Sequence, residues 1–217
     1  MKLLDRARRE TRRPPFKLLS VLLSYPDARL TEAEDELSQA IAALPPSRQK
    51  EAIERFWSYW RVTPPTDRAE HYVETFDLHK RCSLYLSFYL QGDKRQRGMS
   101  LLHLKRLYAA AGLVLESTEL PDYLPVILEF TELAPEGYGE AILADLRPAL
   151  EAVRQSLQAA SSPYMHLLDA LCLGLPRLSP LEAERVQRIM QEGPPGEQVG
   201  LEPFAPPEVM PEQGGRR

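Results

Sequence analysis

The residues best suited to metal chemistry in this sequence are a histidine and a cysteine spaced as His79-x-x-Cys82. A structural zinc site needs four ligands, which usually come in two such pairs. The remaining candidate ligands are scattered along the chain and form no second pair: His71, His103, His166 and Cys172. The spacing therefore favours a surface histidine beside a small buried thiol, with no bound metal and no cofactor.

Signatures of bond-making chemistry are also missing. The sequence has no Gly-x-Ser-x-Gly nucleophile elbow and no glycine-rich loop of the kind that cradles phosphate. We therefore predict that the chain is not an enzyme. The alternative that stays open is a helical metal-dependent hydrolase built on His71, Asp77 and His79.

Two pairs of carboxylates have spacings that would place them on common helix faces. Glu74 and Asp77 are three residues apart, and Asp122 and Glu129 are seven apart on the next candidate helix. Such groups could perform acid–base chemistry in a cleft, or form a solvated acidic face. A third interpretation is an acidic rim around an apolar groove, which would attract a basic peptide and fix its register.

Aromatic residues support the groove. Tyrosine can bury its ring and still offer a hydroxyl for a polar contact, which suits interfaces. For Tyr85 and Tyr89, plain core packing remains an open alternative. The predicted floor of the groove consists of four residues: Tyr72, Phe76, Tyr85 and Tyr89.

Helical periodicity dominates the chain and predicts an all-α fold. Apolar residues recur at helical spacing, as in the stripe of Ile53, Phe56, Trp57 and Trp60, and no alternating run indicates a sheet. The segment from 84 to 90 is ambiguous, because its aromatic residues would also suit a strand. With 217 residues, of which 43% are hydrophobic, the chain can build one core and fits a single-domain helical bundle.

Local signals predict where several helices begin or break. Ser47 and Ser179 are candidate N-caps, and Thr31 with Glu34 resembles a capping box. Pro148 interrupts a long apolar stripe, so we expect a kink or a break there.

Composition divides the chain into three regions. Residues 1–13 are rich in arginine and are predicted to be a flexible basic terminus, since no sustained apolar run follows to make an export signal. Residues 14–192 form the predicted helical domain. Residues 193–217 are rich in proline and glycine and are predicted to be a disordered tail. The run Lys94, Arg95 and Arg97 is predicted to lie in a solvated loop.

The overall charge and the cysteine count limit the function further. The formal charge is -4 with a pI near 5.7, which argues against nucleic-acid binding. The chain has two distant cysteines and no apolar run long enough to enter a membrane, so a reducing cytoplasmic setting is expected.

Several motifs resemble the nitrate reductase delta-subunit family, the NarJ-type molybdenum-cofactor assembly chaperones among the redox-enzyme maturation chaperones. They are Tyr-Val-Glu-Thr-Phe-Asp-Leu at 72–78, Arg-Cys-Ser-Leu-Tyr-Leu at 81–86, Gly-Asp-Lys-Arg-Gln-Arg-Gly-Met at 92–99 and Leu-Pro-Asp-Tyr-Leu-Pro-Val-Ile-Leu-Glu-Phe at 120–130. Leu-Leu-Ser-Tyr-Pro at 22–26 also fits. Related sequences often carry histidine where this chain has Tyr123, so the resemblance implies a hydrogen-bonding or stacking role for Tyr123 rather than a proton-dependent one.

The resemblance implies an all-helical cytoplasmic chaperone that is not part of the finished enzyme. Its expected partner is the cofactor-free catalytic subunit of a respiratory nitrate reductase, bound through its N-terminal segment and kept competent for molybdenum-cofactor insertion before membrane docking. Proteins that deliver the cofactor are further candidate partners. The predicted client-binding residues are those of the groove and its rim: Tyr72, Glu74, Phe76, Asp77, Tyr85, Tyr89, Asp122, Tyr123 and Glu129.

A helical adaptor or regulator with a different client would use the same groove and stays open as an alternative. An empty groove exposes apolar surface, which self-association could cover. We therefore expect a monomer or a weak dimer.

Overall fold

The structure is a computed structural model that describes residues 13–90, 94–116 and 119–193. Throughout these ranges the regular structure is helical, which confirms the predicted all-α class. The one β-type contact among them is an isolated antiparallel bridge between Tyr85 and Tyr123. The predictions for residues 1–12 and for the Pro-rich segment from 194 onward lie outside the described residues.

Four helices form the first part of the fold. They are α1 (Phe16–Leu22), α2 (Ala28–Glu32), α3 (Glu34–Ala43) and α4 (Arg48–Val62). The side chain of Ser47 accepts a hydrogen bond from the Lys50 amide at 3.1 Å, so the predicted cap of α4 is confirmed.

The predicted capping box of Thr31 and Glu34 is wrong. Asp27 caps α2 instead, because its carboxylate accepts from the Leu30 amide at 3.0 Å and starts a helix that already contains Thr31. Glu34 reaches the buried guanidinium of Arg68 at 3.0 Å. The carboxylate of Glu34 therefore forms a long-range ion pair instead of the helix cap that the local sequence pattern predicted.

The middle of the chain holds α5 (Pro65–Tyr72), which continues as a π-helix (Val73–Leu78), then a 3₁₀ turn (Lys80–Cys82), α6 (Ser87–Leu90) and α7 (Lys94–Ala110). Arg95 and Arg97 lie in the first turn of α7, so the predicted loop at this basic run is wrong. Gly98 does not end the helix, because a single glycine inside a helix costs only about 1 kcal/mol relative to alanine.

The last five helices are α8 (Leu124–Leu133), α9 (Tyr138–Asp145), α10 (Arg147–Ala159), α11 (Met165–Gly174) and α12 (Pro180–Glu192). The break predicted near Pro148 is confirmed, since α9 ends just before Leu146 and Pro148 lies in the first turn of α10. Ser179 caps α12 in a reciprocal capping box with Glu182, as predicted.

The core forms where α4 packs on α11, α1 packs on α8, and α10 packs on both α11 and α12. The predicted apolar stripe of α4 faces this core, and Ile53, Phe56 and Trp60 are fully buried. The Phe56 ring lies 5.0 Å from that of Tyr164, which precedes α11. None of the described helices has the length and apolar character to cross a membrane.

Candidate functional site

A surface cleft of about 400 Å³ lies where the end of α1, the π-helix and the segments around Tyr85 and Tyr123 meet. Its walls bring together residues that are distant in the sequence. The described residues that line it are Ser24, Tyr25, Asp27, Tyr72, Phe76, Asp77, Leu84, Tyr85, Glu119 and Tyr123. Five of the nine predicted client-binding residues are therefore in one cleft: Tyr72, Phe76, Asp77, Tyr85 and Tyr123.

Tyr72 and Tyr123 are joined through their hydroxyl groups across the base of the cleft. The Tyr72 hydroxyl donates to the carbonyl of Leu23 at 3.0 Å, so the Tyr123 hydroxyl, 2.7 Å away, donates to the Tyr72 oxygen. Burial raises the pKa of both hydroxyls above that of free tyrosine, so both are neutral at physiological pH. This chain of hydrogen bonds fixes the orientation of both rings.

Tyr85 and Tyr123 together form one wall of the cleft. Their ring centroids are 5.1 Å apart, and the Tyr85 hydroxyl donates to Glu119 at 2.9 Å. Burial, reinforced by Glu119, raises the pKa of Tyr85. Two backbone hydrogen bonds hold the two segments together: the Leu86 amide donates to Asp122 at 3.1 Å, and the Leu124 amide donates to Leu84 at 2.9 Å. The aromatic wall is therefore anchored by main-chain pairing.

The charged groups of the cleft are acidic. Asp27, Asp77 and Glu119 line it, and none of the described lining residues is lysine or arginine. Asp77 is exposed on the π-helix, next to the buried ring of Phe76. Carboxylates grouped around an apolar concavity attract cationic ligands and orient them as they approach. The cleft is therefore suited to a ligand that carries both apolar and basic side chains.

Four of the nine predicted residues do not line the cleft, and three of them are Glu74, Tyr89 and Glu129. Glu74 is exposed on the first turn of the π-helix and is not among the lining residues, so only Asp77 of that pair lines the cleft. Tyr89 is buried, and its hydroxyl donates to the Ser83 carbonyl at 2.9 Å, which is the core packing that the sequence left open. Glu129 lies on α8 and pairs with Lys17 of α1.

The prediction that Asp122 shares a helix face with Glu129 is wrong. Helix α8 begins at Leu124, so Asp122 precedes it. Its side chain is fully buried and accepts from the Ser87 hydroxyl at 2.6 Å and from the Ser87 amide at 3.2 Å. Asp122 therefore joins the two segments of the aromatic wall instead of standing on an acidic rim.

We expect Asp122→Ala to destabilise the protein by about 2–3 kcal/mol, because it leaves the buried donors of Ser87 unpaired. Asp122→Asn keeps an acceptor oxygen towards Ser87 and should cost less. Urea unfolding followed by tryptophan fluorescence would measure both. Equal stability of Asp122→Ala and the wild type would show that the hydrogen bonds to Ser87 do not support the fold.

Five cleft residues were not predicted as site residues: Ser24, Tyr25, Asp27, Leu84 and Glu119. Tyr25 is 48% exposed, and its ring meets that of Tyr72 edge-on at 5.5 Å. Tyr25 belongs to the Leu-Leu-Ser-Tyr-Pro motif, but nothing in the motif indicated that its side chain would line the cleft. Long-range packing, including that of α1 on α8, brings it to the cleft.

The residues of the alternative hydrolase are not assembled for metal binding. Both ring nitrogens of His71 have partners, the Tyr59 hydroxyl at 2.6 Å and the Ser162 hydroxyl at 3.2 Å, and burial lowers the pKa of His71. His79 is exposed, and Cys82 is buried. Within the described ranges, no group of three His, Cys, Asp or Glu side chains is placed to hold a metal ion.

Comparison with known proteins places the chain in a family. The family model described as "Nitrate reductase delta subunit" matches residues 26–170. The chain is 31% identical over 168 residues to the "Probable nitrate reductase molybdenum cofactor assembly chaperone NarJ" of Bacillus subtilis, a match that covers 77% of this chain and 91% of that protein.

Two further relatives are matched over a smaller share of their length. The "Nitrate reductase molybdenum cofactor assembly chaperone NarJ" of Escherichia coli K12 is 35% identical over 156 residues, which are 71% of this chain and 66% of the relative. The "Nitrate reductase-like protein NarX" of Mycobacterium tuberculosis H37Rv is 34% identical over 157 residues, which are 72% of this chain and 24% of the relative. The chain belongs to the nitrate reductase delta subunit family, as its motifs predicted.

Proposed function

We propose that this protein is a chaperone that binds the catalytic subunit of a respiratory nitrate reductase. In this role it keeps the cofactor-free subunit competent for molybdenum-cofactor insertion before the enzyme docks on the membrane. Support comes from relatives named as molybdenum-cofactor assembly chaperones for nitrate reductase. Residues 14–192 would act as the chaperone domain in the cytoplasm, with cofactor-delivery proteins as further partners.

The observation that carries this proposal is the acidic, tyrosine-lined cleft. We infer that it receives part of an amphipathic, basic N-terminal segment of the client. The rings of Tyr25, Phe76 and Tyr85 offer apolar contact, while Asp27 and Asp77 offer partners for lysine and arginine. A cleft of about 400 Å³ takes a few side chains, so the rest of the segment would lie along the surface.

Family membership confirms the prediction that the chain is not an enzyme. An adaptor for a different client would use the same cleft, and no feature of the cleft favours that alternative. Identifying the client therefore distinguishes the two functions more directly than any property of the isolated protein.

Affinity purification of the tagged chain from cells grown anaerobically on nitrate tests the proposal. We expect the catalytic subunit of nitrate reductase among the copurified proteins, enriched in its cofactor-free form. A tagged chain carrying Asp77→Asn and Glu119→Gln provides the matched control and should recover less. Recovery of a different client by the wild type, while the reductase is being made, would favour the adaptor.

Peptide binding tests the cleft itself. We expect Asp77→Asn with Glu119→Gln to weaken binding of a synthetic peptide, comprising the first 20 residues of the catalytic subunit, about 10-fold at low salt and less at high salt. Isothermal titration calorimetry measures this change. Glu129→Gln makes the same chemical change on α8, away from the cleft, and should leave affinity unchanged. Equal weakening by Glu129→Gln would place the peptide elsewhere.

A further inference from the structure

The chain carries a second candidate for the cleft in its own first twelve residues. Segment 1–12 reads Met-Lys-Leu-Leu-Asp-Arg-Ala-Arg-Arg-Glu-Thr-Arg and contains five basic and two acidic residues. Its basic and apolar side chains match the cleft, whose charged lining residues are all acidic. The segment therefore carries the kinds of side chain that the cleft is suited to bind. It belongs to the same chain and is connected to the cleft through α1.

The structure fixes the point from which this segment starts. Arg13 donates to the Thr131 carbonyl at 3.1 Å and forms an ion pair with Glu140 at 3.5 Å, so the chain is held at the base of α1. The opposite end of α1 leads directly into Ser24, Tyr25 and Asp27 of the cleft. The segment thus begins at one end of a short helix whose other end forms a wall of the cleft.

The distance is within reach of the segment. Helix α1 has seven residues and is about 10 Å long, so with the flanking residues the cleft lies on the order of 20 Å from Arg13. Twelve residues span up to about 40 Å when extended and about 18 Å when helical. A chain that turns back along α1 can therefore place its basic side chains beside Asp27 and Asp77.

We propose that segment 1–12 occupies the cleft when no client is bound, as a tethered competitor that the client displaces. The inference rests on the proposed function of the cleft. A short tether gives an effective concentration on the order of 1 mM, so an intrinsic dissociation constant near 100 μM would keep about nine-tenths of the clefts occupied. The segment then lowers the apparent affinity of any competing ligand about 10-fold and covers the aromatic surface while no client is bound.

Direct crosslinking tests where the segment lies. Leu4 of the full-length chain is replaced by p-benzoylphenylalanine, the dilute protein is irradiated, and the crosslinked peptides are identified by mass spectrometry. We expect intramolecular crosslinks to the peptides that contain Tyr25, Tyr85 or Tyr123, and their loss when Asp77→Asn and Glu119→Gln are added. Crosslinks that avoid the cleft, or crosslinks that persist in the neutralised cleft, would overturn the proposal.

Charge reversal tests the competition. In the full-length chain, Arg6→Glu, Arg8→Glu and Arg9→Glu should tighten binding of the 20-residue client peptide about 10-fold at low salt, because the tethered segment no longer competes. Arg216→Glu with Arg217→Glu reverses charge at the other end of the chain and should leave the affinity unchanged. The tightening should disappear in the background of Asp77→Asn and Glu119→Gln.

The outcomes separate this inference from the proposed function. If the wild type and the charge-reversed variant bind the client peptide equally, the cleft function stands and the tethered competitor is refuted. If neither the wild type nor the charge-reversed variant binds the peptide, the proposed function fails. The crosslinks formed from position 4 then decide whether the segment occupies the cleft.

Discussion

Replacing Glu151 by alanine is expected to destabilise the protein by about 3–5 kcal/mol, which is the usual cost of removing one partner from a buried ion pair. Glu151 is 6% exposed and accepts from Arg147 at 3.2 Å, from Arg154 at 2.6 Å and from Gln155 at 3.0 Å. Without the carboxylate, the buried guanidinium of Arg147 loses its ion-pair partner one turn further along α10. Chemical unfolding followed by circular dichroism measures the loss.

The matched control is Glu184→Ala on α12, where the carboxylate is exposed and the cost should stay within about 0.5 kcal/mol. A similar cost for both substitutions would mean that the network around Glu151 contributes nothing beyond surface charge.

The same network predicts a dependence on pH. Burial alone would raise the pKa of Glu151, but hydrogen bonds from Arg154 and Gln155 outweigh it and hold the pKa below its ordinary value of 4.5. A carboxyl group with a lowered pKa in the folded state contributes stability above its unfolded pKa and loses that contribution as the pH falls through the folded value. The wild type should therefore lose stability more steeply below about pH 4.5 than Glu151→Ala does.

Gly139→Ala is expected to be the second severe substitution. A Cβ atom at this position in α9 would lie 2.3 Å from the Thr131 Oγ1 atom and 2.4 Å from its Cα atom. Thr131 is buried and its hydroxyl donates to the Ile127 carbonyl, so α8 must shift away from α9. Overpacking of this kind costs about 1–3 kcal/mol, and because backbone is involved we expect about 3 kcal/mol.

Gly98→Ala provides the control, because the substitution is the same but a Cβ atom in α7 would meet nothing within 4 Å. Here alanine should stabilise the helix by about 0.5–1 kcal/mol. Thermal unfolding of both variants measures the contrast. Stabilisation by both substitutions would show that α8 and α9 separate without cost.

Local patterns predicted the fold better than the cleft, for a physical reason. Helices follow from apolar periodicity and caps such as Ser47, which act within a few residues of the sequence. The family motifs identified Tyr72, Tyr85 and Tyr123, because those residues lie within the motifs themselves. The sequence could not place Asp122, whose role depends on Ser87 35 positions away, or Asp27, which a helix packing brings to the cleft.

The predictions that failed were decided by competition between partners. Thr31 had the spacing of a cap, yet Asp27 started the helix earlier and Arg68 took the carboxylate of Glu34. Tyr89 is not a failed prediction, since core packing had stayed open for it, but a partner decided its outcome too: its hydroxyl donates to the Ser83 carbonyl. In each case the outcome depended on groups that only the folded chain brings near.

The hydroxyl chain at the base of the cleft has a consequence for how the protein is made. Tyr72 bonds to Leu23, 49 positions earlier, and to Tyr123, 51 positions later, so all three regions must be synthesised before the cleft exists. Contacts at such separation form late in folding, because the chain between them must first be ordered. We expect a nascent or truncated chain that ends before residue 123 to be unable to recognise the client. Competence would then appear in a single step, only after residue 123 of the 217 has been made.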